Sequence, residues 1–187
     1  MLLGAVAFLS LSSCNKIKDA IASNIPDLTY EDNNVTINVP ASSNTSQQTA
    51  FGYVQFDLNQ YIKDHAGGSG IGFNNVKHVY VKEINAQVIN GDANNNFQNL
   101  TFTTASSPVL VFNTTADYST ATVIGGGLTT PPADPYNLSL PVTNNADFLS
   151  HINGKDWAYG LAYKLAKPTT KDLQVKLTVK YTVSFKQ

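Results

Sequence analysis

The chain has 187 residues, of which 42% are hydrophobic and 13% are charged, with a formal net charge of −1. This length fits one globular domain with a sizeable hydrophobic core. All 12 basic residues are lysine and 13 residues are acidic, so the charge argues against a nucleic-acid partner. The single cysteine, Cys14, excludes an internal disulfide, and no Cys/His cluster has the spacing of a zinc site.

An apolar run, Met1 to Leu11, opens the chain and leads directly into Ser12, Ser13 and Cys14. The run is shorter than the ~20 residues of a membrane-spanning helix and has the length of a signal-peptide h-region. The sequence Leu11-Ser12-Ser13-Cys14 resembles the bacterial lipobox, in which a branched apolar residue and two small residues precede the cysteine. The resemblance implies a signal peptide over residues 1–13, cleavage before Cys14 and lipid attachment to its sulfur.

Residues 14–27 are mostly polar and are predicted to tether the lipid to the domain. With the Arg-free, Asn- and Lys-rich composition, the lipobox is similar to that of outer-membrane lipoproteins of Bacteroidota. This resemblance implies that the protein is anchored in the outer membrane through the lipid on Cys14. Lys16 and Lys18 follow the cysteine, where surface-displayed members carry an acidic run, which favours the periplasmic face over the cell surface.

From residue 28 to residue 187 the dominant hydrophobic period is two, which is typical of strands. The strongest case runs from Leu173 to Phe185, where apolar and polar side chains alternate without a break. A second alternating run covers Trp157 to Ala166. Because the loop 167–171 is short and rich in turn residues, we expect these two strands to form an antiparallel hairpin.

Other runs rich in β-branched and aromatic residues predict further strands. These strands are predicted at residues 35–39, 51–58, 76–89, 97–103, 109–113, 121–124 and 138–142. Two short helices are predicted, one over 59–66 with Tyr61 and Ile62 facing inward, the other over 145–152 with Asn144 as its N-cap. The sequence therefore predicts an all-β fold, an antiparallel β-sandwich with one or two short helices.

Groups that could carry chemistry are scattered along the chain. His65, His78 and His151 are far apart in sequence and show no metal-ligand spacing, and no Gly-x-Ser-x-Gly nucleophile motif occurs. The glycine-rich segment 67–72 lacks the Gly-Lys-Ser/Thr ending of a phosphate-binding loop and is predicted to be a turn. Residues 92–96 begin like a calcium loop, but only neutral amides follow, so a loop between strands is expected. We predict no catalytic residue, cofactor or metal.

Aromatic side chains are the remaining candidates, because an aromatic face can stack on a sugar ring. Trp157, Tyr159 and Tyr163 share one strand face with leucines, which predicts packing in the core. Tyr118 and Tyr136 lie beside loops and are better candidates for the surface.

The sequence favours a lipid-anchored, non-enzymatic β-sandwich lipoprotein that acts as an accessory or interaction module of the cell envelope, with another envelope protein as partner. The alternative hypothesis is a glycan-binding module at the cell surface. This alternative depends on an analogy at the level of the fold and on Tyr118 and Tyr136.

Overall fold

A computed structural model describes residues 25–66, 70–102, 107, 109–113, 119, 121–143, 147–149, 152 and 156–186 of the chain. In these ranges the chain forms nine strands, one α-helix and one short 3₁₀ helix. In chain order they are β1 (Leu28–Val39), β2 (Gln48–Gln55), α1 (Leu58–His65), the 3₁₀ helix (Phe73–Asn75), β3 (Val76–Val88), β4 (Leu100–Thr101), β5 (Val109–Asn113), β6 (Thr122–Gly126), β7 (Asn137–Leu140), β8 (Asp156–Leu165) and β9 (Leu173–Phe185).

The strands form two antiparallel sheets that pack face to face, which confirms the predicted β-sandwich. Sheet A has the strand order β1-β9-β3-β7, and sheet B has the order β2-β8-β5-β6 with β4 paired to β8. The core lies between the sheets because alternate side chains of each strand point inward. Along β9 every second residue from Leu173 to Phe185 is buried, as the alternation predicts.

The predicted hairpin between β8 and β9 is wrong, because the two strands lie in different sheets. β8 pairs with β2 and β5, whereas β9 pairs with β1 and β3. Both strands carry large inward side chains, and the hydroxyl groups of Tyr159 on β8 and Tyr181 on β9 form a hydrogen bond across the core. The segment 166–172 therefore crosses from one sheet to the other instead of closing a hairpin.

The limits of β2, β6 and β7 differ from the predicted ones by one to three residues, and two other predicted strands differ more. β1 begins at Leu28, seven residues before the predicted start, because its buried face continues through the polar residue Asp32 and a register shift between Asp32 and Val35. The strand predicted at 97–103 is reduced to Leu100–Thr101 among the described residues. Phe97 is buried, but its amide donates to the carbonyl of Pro135 in a loop.

The first predicted helix is confirmed as α1. Its N-cap is Asp57, whose carboxylate accepts a hydrogen bond from the amide of Gln60 at 3.0 Å. Ile62 is fully buried and Tyr61 is half-buried, as expected. In the described part of the chain, no helix is both long and apolar enough to cross a membrane.

The second predicted helix falls largely outside the described residues, as does its N-cap Asn144. At its described positions, Asp147 forms a β-bridge with Tyr80, and the amide of Ile152 donates to the carbonyl of Phe148 at 3.0 Å.

Candidate binding site

A polar cleft of about 430 Å³ lies on the outer face of sheet A, where β7, β3 and β9 run side by side. Its side chains come from alternate positions of these strands, opposite to the core-facing positions. Their order across the sheet follows from the register, which sets Asn85 between Thr178 and Ser139, and Gln87 between Lys176 and Asn137. The volume is within the ~300–1,000 Å³ of typical small-ligand sites. We name this group the sheet A cleft.

Most polar groups in the sheet A cleft have no partner among the residues that the structure describes. In the described part of the chain, the side chains of Gln87, Ser139, Lys176 and Thr178 make no hydrogen bond or ion pair. Asn85 uses its amide nitrogen to donate to Glu83 at 2.6 Å, and its amide oxygen has no partner there. The cleft thus offers hydroxyl and amide groups that both donate and accept hydrogen bonds, together with one ammonium group.

A row of charges borders the cleft on the same face. Lys180 on β9 contacts Glu83 on β3 at 2.9 Å and Glu31 on β1 at 3.7 Å. The hydrogen bond from Lys180 is the main reason why the pKa of Glu83 is lowered, and the same bond raises the pKa of Lys180. Because these charges neutralise one another in part, the face as a whole has little net charge.

Asn96 and Asn99 in the loop 92–99 are used differently, because their side-chain amides hold the loop itself. Asn96 donates to the carbonyls of Asp92 and Ala93 at 3.0 and 3.1 Å. Asn99 donates to the carbonyls of Asn94 and Lys167 at 2.7 and 3.1 Å. In this loop, amide side chains make the hydrogen bonds to backbone groups that a neighbouring strand would make in a sheet. The amide nitrogens of Asn96 and Asn99 therefore stabilise the loop and are not available to a ligand.

The calcium-like start of this loop is explained by the same geometry. One carboxylate oxygen of Asp92 accepts from the amides of Asn94 and Asn95 at 2.8 and 3.0 Å. Lys171 contacts the other oxygen at 3.0 Å and is the main reason why the pKa of Asp92 is lowered. The prediction of a loop between strands is confirmed. Among the described residues, no group of three or more His, Cys, Asp or Glu side chains could hold a metal ion.

The structure places two of the three histidines, and His151 lies outside the described residues. His65 lies at the end of α1, where its ring stacks on Tyr61 and its Nδ1 atom is 2.8 Å from the Tyr61 carbonyl. His78 on β3 is 2.8 Å from the carboxylate of Asp147. Because the two histidines are attached to different elements and partners, the structure does not bring them together in one site.

Asp147 also organises the backbone around it. Its carboxylate accepts from the amides of Val79 and Leu149, each at 3.0 Å. Burial acts to raise the pKa of Asp147, but the hydrogen bonds from His78 and these amides outweigh it and lower the pKa. Ser184 lies opposite His78 in the register, yet its hydroxyl oxygen is buried without a hydrogen bond among the described residues. In the described structure, no hydrogen bond therefore joins the Ser184 hydroxyl to the His78 ring.

The aromatic candidates separate as predicted into core and surface. Trp157, Tyr159 and Tyr163 are all buried, which confirms their packing role. Tyr136 is 37% exposed and lies against Gly91, and Tyr118 lies outside the described residues. The most exposed aromatic residue described is Tyr53 on β2, at 76%. Tyr53 was not among the surface candidates predicted from the sequence. Its neighbours Gly52 and Val54 on β2 face inward, and this alternation could have predicted that Tyr53 faces solvent.

A buried polar network lies between the sheets. Tyr159 on β8 donates to the carboxylate of Asp32 on β1 at 3.2 Å. Because the single proton of the Tyr159 hydroxyl is donated to Asp32, its oxygen accepts a hydrogen bond from the hydroxyl of Tyr181. Burial is the main reason why the pKa values of Tyr159 and Tyr181 are raised. The network ties three strands together and is closed to solvent, so it is structural rather than a binding site.

Comparisons with known proteins add little to this geometry. No family model matches the chain, and no curated protein matches it. Among solved structures, a chain of Desmodium yellow mottle tymovirus is similar at 11% identity, over 100% of this chain and 94% of that chain, with a TM-score of 0.26. A TM-score this low carries no argument about fold or function. Cys14 and the signal-like run lie outside the described residues.

Proposed function

We propose that this chain is a non-enzymatic, lipid-anchored protein of the bacterial outer membrane that serves as an interaction module of the cell envelope. The observation that carries the proposal is the coincidence of an apolar run, the sequence Leu11-Ser12-Ser13-Cys14 and the single cysteine of the chain. Each buried methylene group contributes ~0.8 kcal/mol, so two or more acyl chains on Cys14 would hold the protein at the membrane almost permanently.

The described part of the chain supports a binding role through the sheet A cleft. Its polar side chains extend from three hydrogen-bonded strands, so the backbone positions that carry them are set before a ligand arrives. Such preorganisation lowers the entropy cost of binding. In the described His78–Asp147 pair, the Asp147 carboxylate also accepts hydrogen bonds from two backbone amides.

We expect the wild-type protein to remain with outer membranes after a high-salt wash, and the Cys14→Ala variant to be recovered in the soluble fraction or as an uncleaved precursor. A matched Ser13→Ala variant keeps the small residue before the cysteine and should behave like wild type. Immunoblots of the membrane and soluble fractions measure the result. A Cys14→Ala protein that is cleaved and membrane-bound like wild type would contradict the proposed anchor.

Protease treatment of intact cells distinguishes the two faces of the membrane. The lysines after Cys14 lead us to propose the periplasmic face, so the domain should survive until the outer membrane is opened. Digestion on intact cells would instead place it on the surface.

A glycan-binding module is the second candidate function. It is favoured by the unpartnered hydroxyl and amide groups of the sheet A cleft, since these groups match the alternating donors and acceptors of a sugar. Binding at either face of the outer membrane is compatible with the lipid anchor.

A further inference from the structure

The polar side chains of this chain fall into two groups with different uses. In the loop 92–99, amide groups satisfy the backbone of the loop. In the sheet A cleft, Gln87, Ser139, Lys176 and Thr178 have no partner among the described residues, although they are held on three paired strands. A fixed surface with unused hydrogen-bonding capacity is what a polar ligand requires.

The chemistry of the cleft restricts the kind of ligand. Its side chains offer no exposed aromatic or large aliphatic group, because Ala86 and Leu138 are buried beneath it. Protein interfaces draw most of their binding energy from such apolar anchors, so a protein partner fits this cleft poorly. A strongly anionic ligand fits poorly as well, since Lys176 is the single cation that lines the cleft and the bordering Lys180 is paired with Glu83 and Glu31.

We propose that the sheet A cleft binds a neutral glycan, with Gln87, Ser139, Lys176 and Thr178 supplying hydrogen bonds to its hydroxyl groups. This inference rests on the second candidate function proposed above and names its site and ligand class. A hydroxyl group both donates and accepts, as do the amide and hydroxyl side chains of the cleft. Tyr136, the described aromatic residue nominated from the sequence for the surface, does not line this site.

The test uses the purified full chain in a detergent without a sugar headgroup, titrated calorimetrically with dextran, mannan and laminarin as neutral glycans. Polygalacturonate serves as the acidic counterpart. We expect at least one neutral glycan to bind, with an affinity that is unchanged between low and high sodium chloride because no charge is neutralised. Absence of binding by all three neutral glycans at millimolar sugar, or salt-sensitive binding of polygalacturonate alone, would overturn the proposal.

Substitutions then locate the site. Gln87→Ala and Ser139→Ala should each weaken binding by about 2- to 10-fold, which is the effect of losing one hydrogen bond, and the double variant by about 10-fold or more. Gln174→Ala is the matched control, because Gln174 is exposed on β9 beyond the cleft. Unchanged thermal melting would show that the exposed substitutions leave the fold intact.

A further variant tests the opposite face. Tyr53→Ala removes the most exposed described aromatic side chain, on sheet B, and should leave binding unchanged. If Tyr53→Ala abolished binding while the Gln87→Ala/Ser139→Ala double variant kept it, the glycan would bind sheet B and the proposed site would be wrong. All of these measurements use soluble sugars and do not depend on the lipid anchor. Glycan binding can therefore be disproved while the lipid anchor is confirmed, and the lipid anchor can be disproved while glycan binding is confirmed.

Discussion

Above pH 10, the free energy of unfolding is expected to fall by about 3 kcal/mol for each pH unit, because two buried tyrosines resist ionisation. An unfolded tyrosine has a pKa of ~10. In the folded protein, burial raises the pKa of Tyr159 and Tyr181 well above that value. Each tyrosine therefore contributes a loss of ~1.4 kcal/mol per pH unit once the unfolded state begins to lose its protons.

The sign of the effect follows from the direction of the shift. Below pH 10 both states keep the tyrosyl protons, and the stabilisation is fully present. As the pH rises above 10, the unfolded state releases protons that the folded state retains, so the stabilisation is lost. For a domain that is stable by ~5–15 kcal/mol, global unfolding should follow within a few pH units.

Urea unfolding at a series of pH values, followed by circular dichroism and tyrosinate absorbance, measures this dependence. The Tyr159→Phe/Tyr181→Phe double variant should show a flatter pH dependence above pH 10. Part of the slope should remain, because burial also raises the pKa of Tyr30 and of Tyr163. Tyr53→Phe, which removes an exposed hydroxyl, should keep the wild-type slope. An equally steep slope in the double variant would mean that other groups cause the alkaline unfolding.

Gly52→Val is expected to destabilise the fold by about 3 kcal/mol or more, because β2 of sheet B packs tightly against β1 of sheet A at this residue. A Cβ atom at Gly52 would lie 2.8 Å from Cγ1 of Val35 and 3.0 Å from the carbonyl oxygen of Thr36. Val35 is buried and the Thr36 oxygen belongs to the backbone of β1, so neither can move without shifting the strand. Gly52 also lies beside Tyr159 in the register.

Thermal and urea denaturation of Gly52→Val measure the loss. Gly70→Val is the matched control, since a Cβ atom at Gly70 would meet nothing within 4 Å. The control should change the free energy of unfolding by no more than ~0.5 kcal/mol. If both variants were equally stable, the close approach of β1 and β2 would not be a requirement of the fold.

The alternation of apolar and polar residues predicted which strand faces are buried, but it did not predict which strands pair. It identified β8 and β9 and placed Trp157, Tyr159 and Tyr163 in the core, because burial on one face leaves a period of two. The alternation did not show that β8 and β9 belong to different sheets. A strand has the same alternating pattern whether the next strand pairs with it in one sheet or packs against it from the other sheet.

Polar residues account for the other differences. The start of β1 was missed because Asp32 is charged, and its burial depends on a hydrogen bond from Tyr159, which is 127 positions away in the sequence. The sheet A cleft was missed for a related reason. Its residues share a site only because β3 lies between β7 and β9, an order that local sequence patterns do not contain.

Mass spectrometry of the mature N-terminus would show whether a lipid is attached to Cys14. The protein should be isolated from membranes, digested, and the fragment that contains Cys14 identified. If Cys14 is lipidated, the fragment should begin at Cys14 and carry a diacylglyceryl group on the sulfur. The new amino group often carries a further acyl chain. A fragment in which Leu11-Ser12-Ser13 still precedes an unmodified Cys14 thiol would contradict the proposed lipidation.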